Sequence, residues 1–198
     1  MKRFEFASFV LVVAGAVSCS STSSMEAMDE QAMMAKMMEY GTPGEAHKVL
    51  DNSVGLWKVK ATTFNPDGTP GMTSDGSSEI KWMMDGRFLH ETFTGDFGGM
   101  PFHGTGVVGF DNIKQRYVGT WIDNMSTGVM TMEGKYDPKA RTMSMESEMP
   151  NPMTWSYVDS KMVTTWIDDD HSVAKFYMPG PDGKNYMHMQ LEYTRTSP

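Results

Sequence analysis

From Val54 to Thr194 apolar and polar residues alternate with a period of two, in short runs broken by Gly, Asp, Asn and Pro. Successive side chains of an extended chain point to opposite faces, so this pattern is that of half-buried strands. It predicts strands over 54–64, 77–84, 87–95, 101–110, 116–123, 127–136, 142–149, 154–167, 172–178 and 186–194. Turn-forming residues separate them at Asn65-Pro66-Asp67-Gly68, Asp85-Gly86, Gly98-Gly99, Asp111-Asn112, Asp137-Pro138 and Pro181-Asp182-Gly183. About ten strands with no helix between them point to an all-β closed barrel or a sandwich, and the short connections favour an antiparallel up-and-down barrel.

Ahead of the strands the period changes. Thr42, Pro43 and Glu45 have the chemistry of a helix start, with Thr42 as N-cap, and Ala46, Val49 and Leu50 then share one face of a short helix. The preceding segment holds Met25, Met28, Met33, Met34, Met37 and Met38. At about 100° per residue these spread around most of a helix, which makes a poor amphipathic element. The chain therefore divides into residues 1–19, a flexible Met-rich tail over 20–42, and a barrel domain over 43–198.

The first nineteen residues carry Lys2 and Arg3, an apolar stretch from Phe9 to Val17, and small residues before Cys19. This is the pattern of an export signal, too short to span a membrane as a helix. Cys19 is the single cysteine and stands where the lipobox of a bacterial lipoprotein places its acylated residue, although Ala16 occupies the usual Leu position. The expected location is the periplasm or cell envelope, with membrane attachment through a lipid on Cys19. With no cysteine in the folded region, a disulfide framework and a thiolate site are excluded there. The formal net charge of -8 argues against a nucleic-acid partner.

Gly55-Leu56-Trp57 opens the first strand, and Arg195 lies in the last. This resembles the lipocalin arrangement, in which an arginine from the closing strand covers a Gly-x-Trp tryptophan; Gly55, Trp57 and Arg195 are the structural residues it implies. A second resemblance runs through Glu45 to Leu50, Gly86-Arg87-Phe88-Leu89, Gly109-Phe110-Asp111-Asn112, Tyr117, Thr120-Trp121-Ile122-Asp123, Ser126-Thr127-Gly128 and Pro179 to Lys184. In these positions the chain is similar to a bacterial domain-of-unknown-function family, number fifteen seventy-nine. The resemblance implies a lipocalin-like (calycin) barrel and no established activity.

Catalytic motifs are absent: there is no Gly-x-Ser-x-Gly, His-Glu-x-x-His, P-loop or Rossmann glycine pattern. His47, His90, His103, His171 and His188 are scattered and read as surface or rim residues, and no cofactor or metal is implied. An enzyme would have to draw on His90, His103 and Glu91 as acid and base. Asp168-Asp169-Asp170-His171 reads as a solvated turn. Arg87 with Glu91, and Trp121 with Asp123, share strand faces; pointing inward, they would form a ligand-binding set of a buried Arg, carboxylates and an aromatic wall. There are 22 methionines. They read as core filler in the barrel, in pairs such as Met143 with Met145 and Met187 with Met189, and the tail methionines offer soft-metal (copper) capture as an alternative. The leading function is non-catalytic binding of a small, partly apolar ligand in the barrel, against a structural envelope protein with a filled barrel. An empty lumen of roughly 300 Å³ or more would favour the former.

Overall fold

The computed structural model describes Glu30–Ser197; the segment expected to be an export signal, Cys19, Met25 and Met28 lie outside the described residues. Two compact units divide at Met37 and Met38. Helix α1 spans Glu30–Gly41, buries no residue, and leaves Met33, Met34, Met37 and Met38 exposed. Met33 and Met37, like Met34 and Met38, stand one helical turn apart.

After α1 come α2 (Glu45–Lys48), a 3-10 turn (Val49–Ser53), and the strands β1 (Gly55–Phe64), β2 (Pro70–Met83), β3 (Phe88–Phe97), β4 (Met100–Asp111) and β5 (Arg116–Asp123). They continue as β6 (Met130–Asp137), β7 (Thr142–Asn151), β8 (Ser156–Trp166), β9 (His171–Pro179) and β10 (Asn185–Ser197). Each strand pairs with its sequence neighbours, and β1 pairs with β10, which closes an antiparallel barrel. Closure leaves no free edge.

β2 starts seven residues earlier than the alternation suggests. Residues 70–76 have no apolar face to report, and their ladder with β1, from Phe64 opposite Pro70 to Val59 opposite Gly76, is what extends them. The helix start also differs. Gly44 is the N-cap, and its backbone N–H donates to Nδ1 of His47 at 3.0 Å. Glu45 instead pairs with Lys48 at 2.6 Å on the surface.

His47 is not a rim residue. It is buried at the barrel floor against Phe110, and burial holds its pKa below the ordinary histidine value. Leu50 is buried beside it, so α2 and the 3-10 turn plug one end of the barrel. Polar tips of core aromatics fasten this plug: Tyr117 Oη donates to the Ala46 carbonyl at 2.8 Å, Trp82 Nε1 to Asp51 at 2.8 Å, and Trp57 Nε1 to the Ser53 carbonyl at 2.9 Å. Burial pushes the Tyr117 hydroxyl up to about 12, so it stays a donor throughout the physiological range.

Arg195 completes the floor. Its guanidinium lies 4.1 Å from the Trp57 ring centre and donates to the carbonyls of Val54, Asn52 (3.0 Å) and Asp169 (2.8 Å). The turn at 168–171 is organised around this contact. Asp168 accepts from the Asp170 N–H and His171 Nδ1, while Asp170 lies 3.4 Å from Arg195. Those carboxylates therefore have protein partners, and the turn does more than meet solvent.

Methionine fills the core, with Met143 and Met145 buried and Met132 and Met162 packed against them. One pair departs from the simple period. A bulge at His188 sets Met187 opposite Tyr177, facing outward, and Met189 opposite Phe176, facing inward. The extra residue turns His188 inward too, where its ring meets Phe176 and Tyr186.

Candidate functional site

The lumen holds a cavity of about 140 Å³ between the plug and the middle of the barrel. Its wall is mostly apolar: Trp57, Ile80, Leu89, Trp121, Met132 and Met162 are among the residues that face it. Trp121 lies flat on β4, where a Cβ at Gly104 or Gly106 would collide with the indole. Glycine at these two positions is thus the reason the largest side chain lines the lumen instead of filling it.

Glu91 is the carboxyl group on this wall. It follows Leu89 on the inward face of β3, and the surface it leaves uncovered looks into the cavity. Buried Ser78 donates to its Oε1 at 2.6 Å, and Tyr193 on β10 engages the same carboxyl. Burial dominates the electrostatics: it pushes the Glu91 carboxyl above the usual carboxylate range, against the opposing pull of these hydrogen bonds. Tyr193 is raised well above an ordinary tyrosine by the same burial and by the adjacent carboxyl. The trio Ser78, Glu91 and Tyr193 is a polar spot that favours an uncharged acid in an apolar chamber.

The structure brings Glu91 and Trp121 onto one cavity and leaves the other two candidates apart. Arg87 lies in the β2–β3 turn, where it donates to the Met84 carbonyl at 3.0 Å and stands 3.8 Å from Asp85. Same-face parity with Glu91 does not bring it inward, because the strand starts one residue later and Arg87 belongs to the rim. Asp123 accepts from Trp121 Nε1 at 3.0 Å and from the Met125 N–H at 2.9 Å. It positions the indole and does not face the cavity. Ser78 and Tyr193 carry no motif; only pairing of β2 with β3, and closure by β10, places them on Glu91.

His188 is a further inward polar residue, on the opposite half of the barrel from the plug. Among the described residues its Nε2 is buried with no hydrogen-bond partner, and burial lowers its pKa. It does not line the cavity beside Glu91. His90 and His103 do not gather with Glu91 either: His90 bonds Thr105 on the outer wall, and His103 is exposed. Among the described residues no group of three His, Cys, Asp or Glu side chains could hold a metal ion. A wider depression of about 610 Å³ on the outer face, near Lys114, Glu133 and Glu148, is open to solvent, and Glu133 is already matched by Lys114 at 2.8 Å and Arg116 at 3.2 Å.

These features define a closed ten-stranded antiparallel barrel, plugged at one end, with a small lumen carrying one embedded carboxyl. The chain belongs to the family described as Protein of unknown function (DUF1579), whose model matches residues 42–195. No curated protein matches it. Among solved structures it is similar to Rv2717c from M. tuberculosis, at 15% identity and a TM-score of 0.55, over 78% of this chain and 99% of that one. It is also similar to the S-type phycobiliprotein lyase CPES from Guillardia theta, at 10% identity and a TM-score of 0.49, over 76% of this chain and 92% of that one. The likeness to Rv2717c shows a shared barrel fold.

Proposed function

We propose that the barrel binds one small, partly apolar molecule in its lumen and holds that molecule's polar group on Glu91. The carrying observation is the Glu91 carboxyl itself, set with Ser78 and Tyr193 on the wall of an otherwise apolar cavity. A buried ionisable group costs stability that an apolar residue of similar size would not, so a barrel serving only as a scaffold has no use for it. Size narrows the ligand class. Engineered apolar cavities of about 150 Å³ take benzene, so the present 140 Å³ admits a single substituted ring. Met132, Met143 and Met162 on the wall can change rotamer to admit slightly more.

Residues 1–19 are read as an export signal with acylation at Cys19, which would put this barrel in the periplasm or cell envelope on a lipid anchor. The support is the basic start, the apolar run and the position of the lone cysteine.

The second reading is a structural barrel. It is favoured by the cavity volume, which falls below the roughly 300 Å³ typical of sites for drug-sized ligands. Methionine-methyl NMR separates the two. Phenol, benzylamine and toluene titrated into the protein should shift Met132, Met143 and Met162 saturably, and Glu91→Leu should erase the advantage of phenol and benzylamine over toluene. No saturable shift from any probe at millimolar concentration would establish the structural barrel instead.

A further inference from the structure

In an up-and-down barrel alternate turns lie at the same end. The plug shares its end with the turns at 84–87, 112–115, 138–141 and 167–170, while 65–69, 98–99, 124–129, 152–155 and 180–184 ring the mouth. The two ends differ in chemistry. The plugged end carries Asp85, Arg87, Lys114, Lys139, Arg141 and the three aspartates 168–170. The charged residues in the mouth turns are Asp67, Asp182 and Lys184, and the last two stand 3.7 Å apart.

These three belong to the β1–β2 and β9–β10 turns, which are adjacent in the barrel. The remaining arc, from β3 to β8, has no charged residue at its turn tips and bears exposed apolar side chains there; the carboxylates flanking the tips, Asp96 and Asp123, accept from the Gly99 and Met125 N–H groups at 2.7 and 2.9 Å. Trp155 is 96% exposed and Met153 88% exposed at the tip of the β7–β8 hairpin, with Tyr157 beside them. Met125 and Val129 are exposed on the next turn, and Phe97 and Met100 on the one after. The tips are neighbours: a Cβ at Gly128 would lie 3.1 Å from Tyr157 Oη. Trp155 also has a φ of 50°, a left-handed conformation that Asn or Gly adopts at lower cost. Its place there is unfavourable twice over in water.

We infer that this arc of apolar turn tips at the barrel mouth is a docking surface for a phospholipid bilayer, entering the headgroup region through the β7–β8 hairpin. Trp and Tyr prefer that region because one end of the ring is apolar and the other forms hydrogen bonds. The turns of this arc carry no Lys or Arg, which matches a zwitterionic surface, where neither basic residues nor anionic lipid are needed. The walls stay in water, since Lys58, Lys60, Glu146 and Glu148 are exposed on the outer face.

The test uses the full chain with phosphatidylcholine vesicles, with and without bromine in the acyl chains. The emission of Trp155 is isolated as the difference between the parent and Trp155→Phe. Contact predicts a blue-shifted, bromine-quenched difference spectrum whether or not the N-terminal segment also tethers the chain. Combined Met153→Ser and Trp155→Phe should weaken vesicle partitioning of the barrel by about tenfold, as expected for removing apolar area of this size. A difference spectrum that stays water-like and unquenched on vesicle-bound chain overturns the inference. So does burial of Trp155 that grows with protein concentration without vesicles, which would assign the arc to a second copy of the chain.

Discussion

Replacing Arg195 by Met probes the closure of the barrel floor. Met retains an unbranched chain along Trp57 but removes the guanidinium, and with it the bonds to the Val54, Asn52 and Asp169 carbonyls. The first two are part-buried, and a bond to a charged donor contributes about 1.5 kcal/mol at the low end of its range. The contact with the Trp57 face at 4.1 Å adds about 1 kcal/mol, while the exposed bond to Asp169 adds little. The total is about 4 kcal/mol. At roughly 2–4 °C per kcal/mol for a chain of this size, Tm should fall by about 8–16 °C. Calorimetry or thermal circular dichroism at neutral pH reads this directly. Arg195→Lys should recover less than half, because one ammonium cannot serve carbonyls on both the plug and the β8–β9 turn. A Met variant within about 2 °C of the parent, or full recovery with Lys, would refute the claim that this contact organises the floor.

The raised Glu91 pKa carries a pH signature. Between the unfolded value near 4.5 and the higher folded value the native state holds the extra proton, so stability should decline as pH rises through that window and then level off. Glu91→Gln should flatten this decline in urea titrations taken from pH 4 to 9; an unchanged slope would mean the carboxyl is already well hydrated. Tyr117→Phe leaves the Ala46 carbonyl without its donor at the plug, so stability should drop by about 1–2 kcal/mol, with faster amide exchange confined to residues 45–53. Uniform exchange across the barrel would argue against a local fastening role.

Much of the barrel was legible because strand alternation and turn residues are local properties. Strand ends were less so. The early start of β2 depends on its ladder with β1, since residues 70–76 bury no apolar face. His47 and His188 looked like surface residues because a lone histidine has no periodic signature; one is buried by the plug and the other is turned inward by a bulge. The Arg87–Glu91 grouping followed strand parity, which holds only within a strand, and Arg87 lies in the turn before it.

The amino-acid order alone determined the all-β class, the meander of short strands and the acidic charge. Each is written in neighbours along the chain or in composition. Only the tertiary structure decided that Ser78, Glu91 and Tyr193 meet, that Trp121 lies flat against Gly104 and Gly106, and that the apolar turn tips collect on one arc of one rim. Those juxtapositions lie between strands: Ser78 with Glu91 and Trp121 with its glycines across hairpin ladders, and Tyr193 with Glu91 through closure by β10. Strand register and barrel closure set their distances, and no local pattern records either.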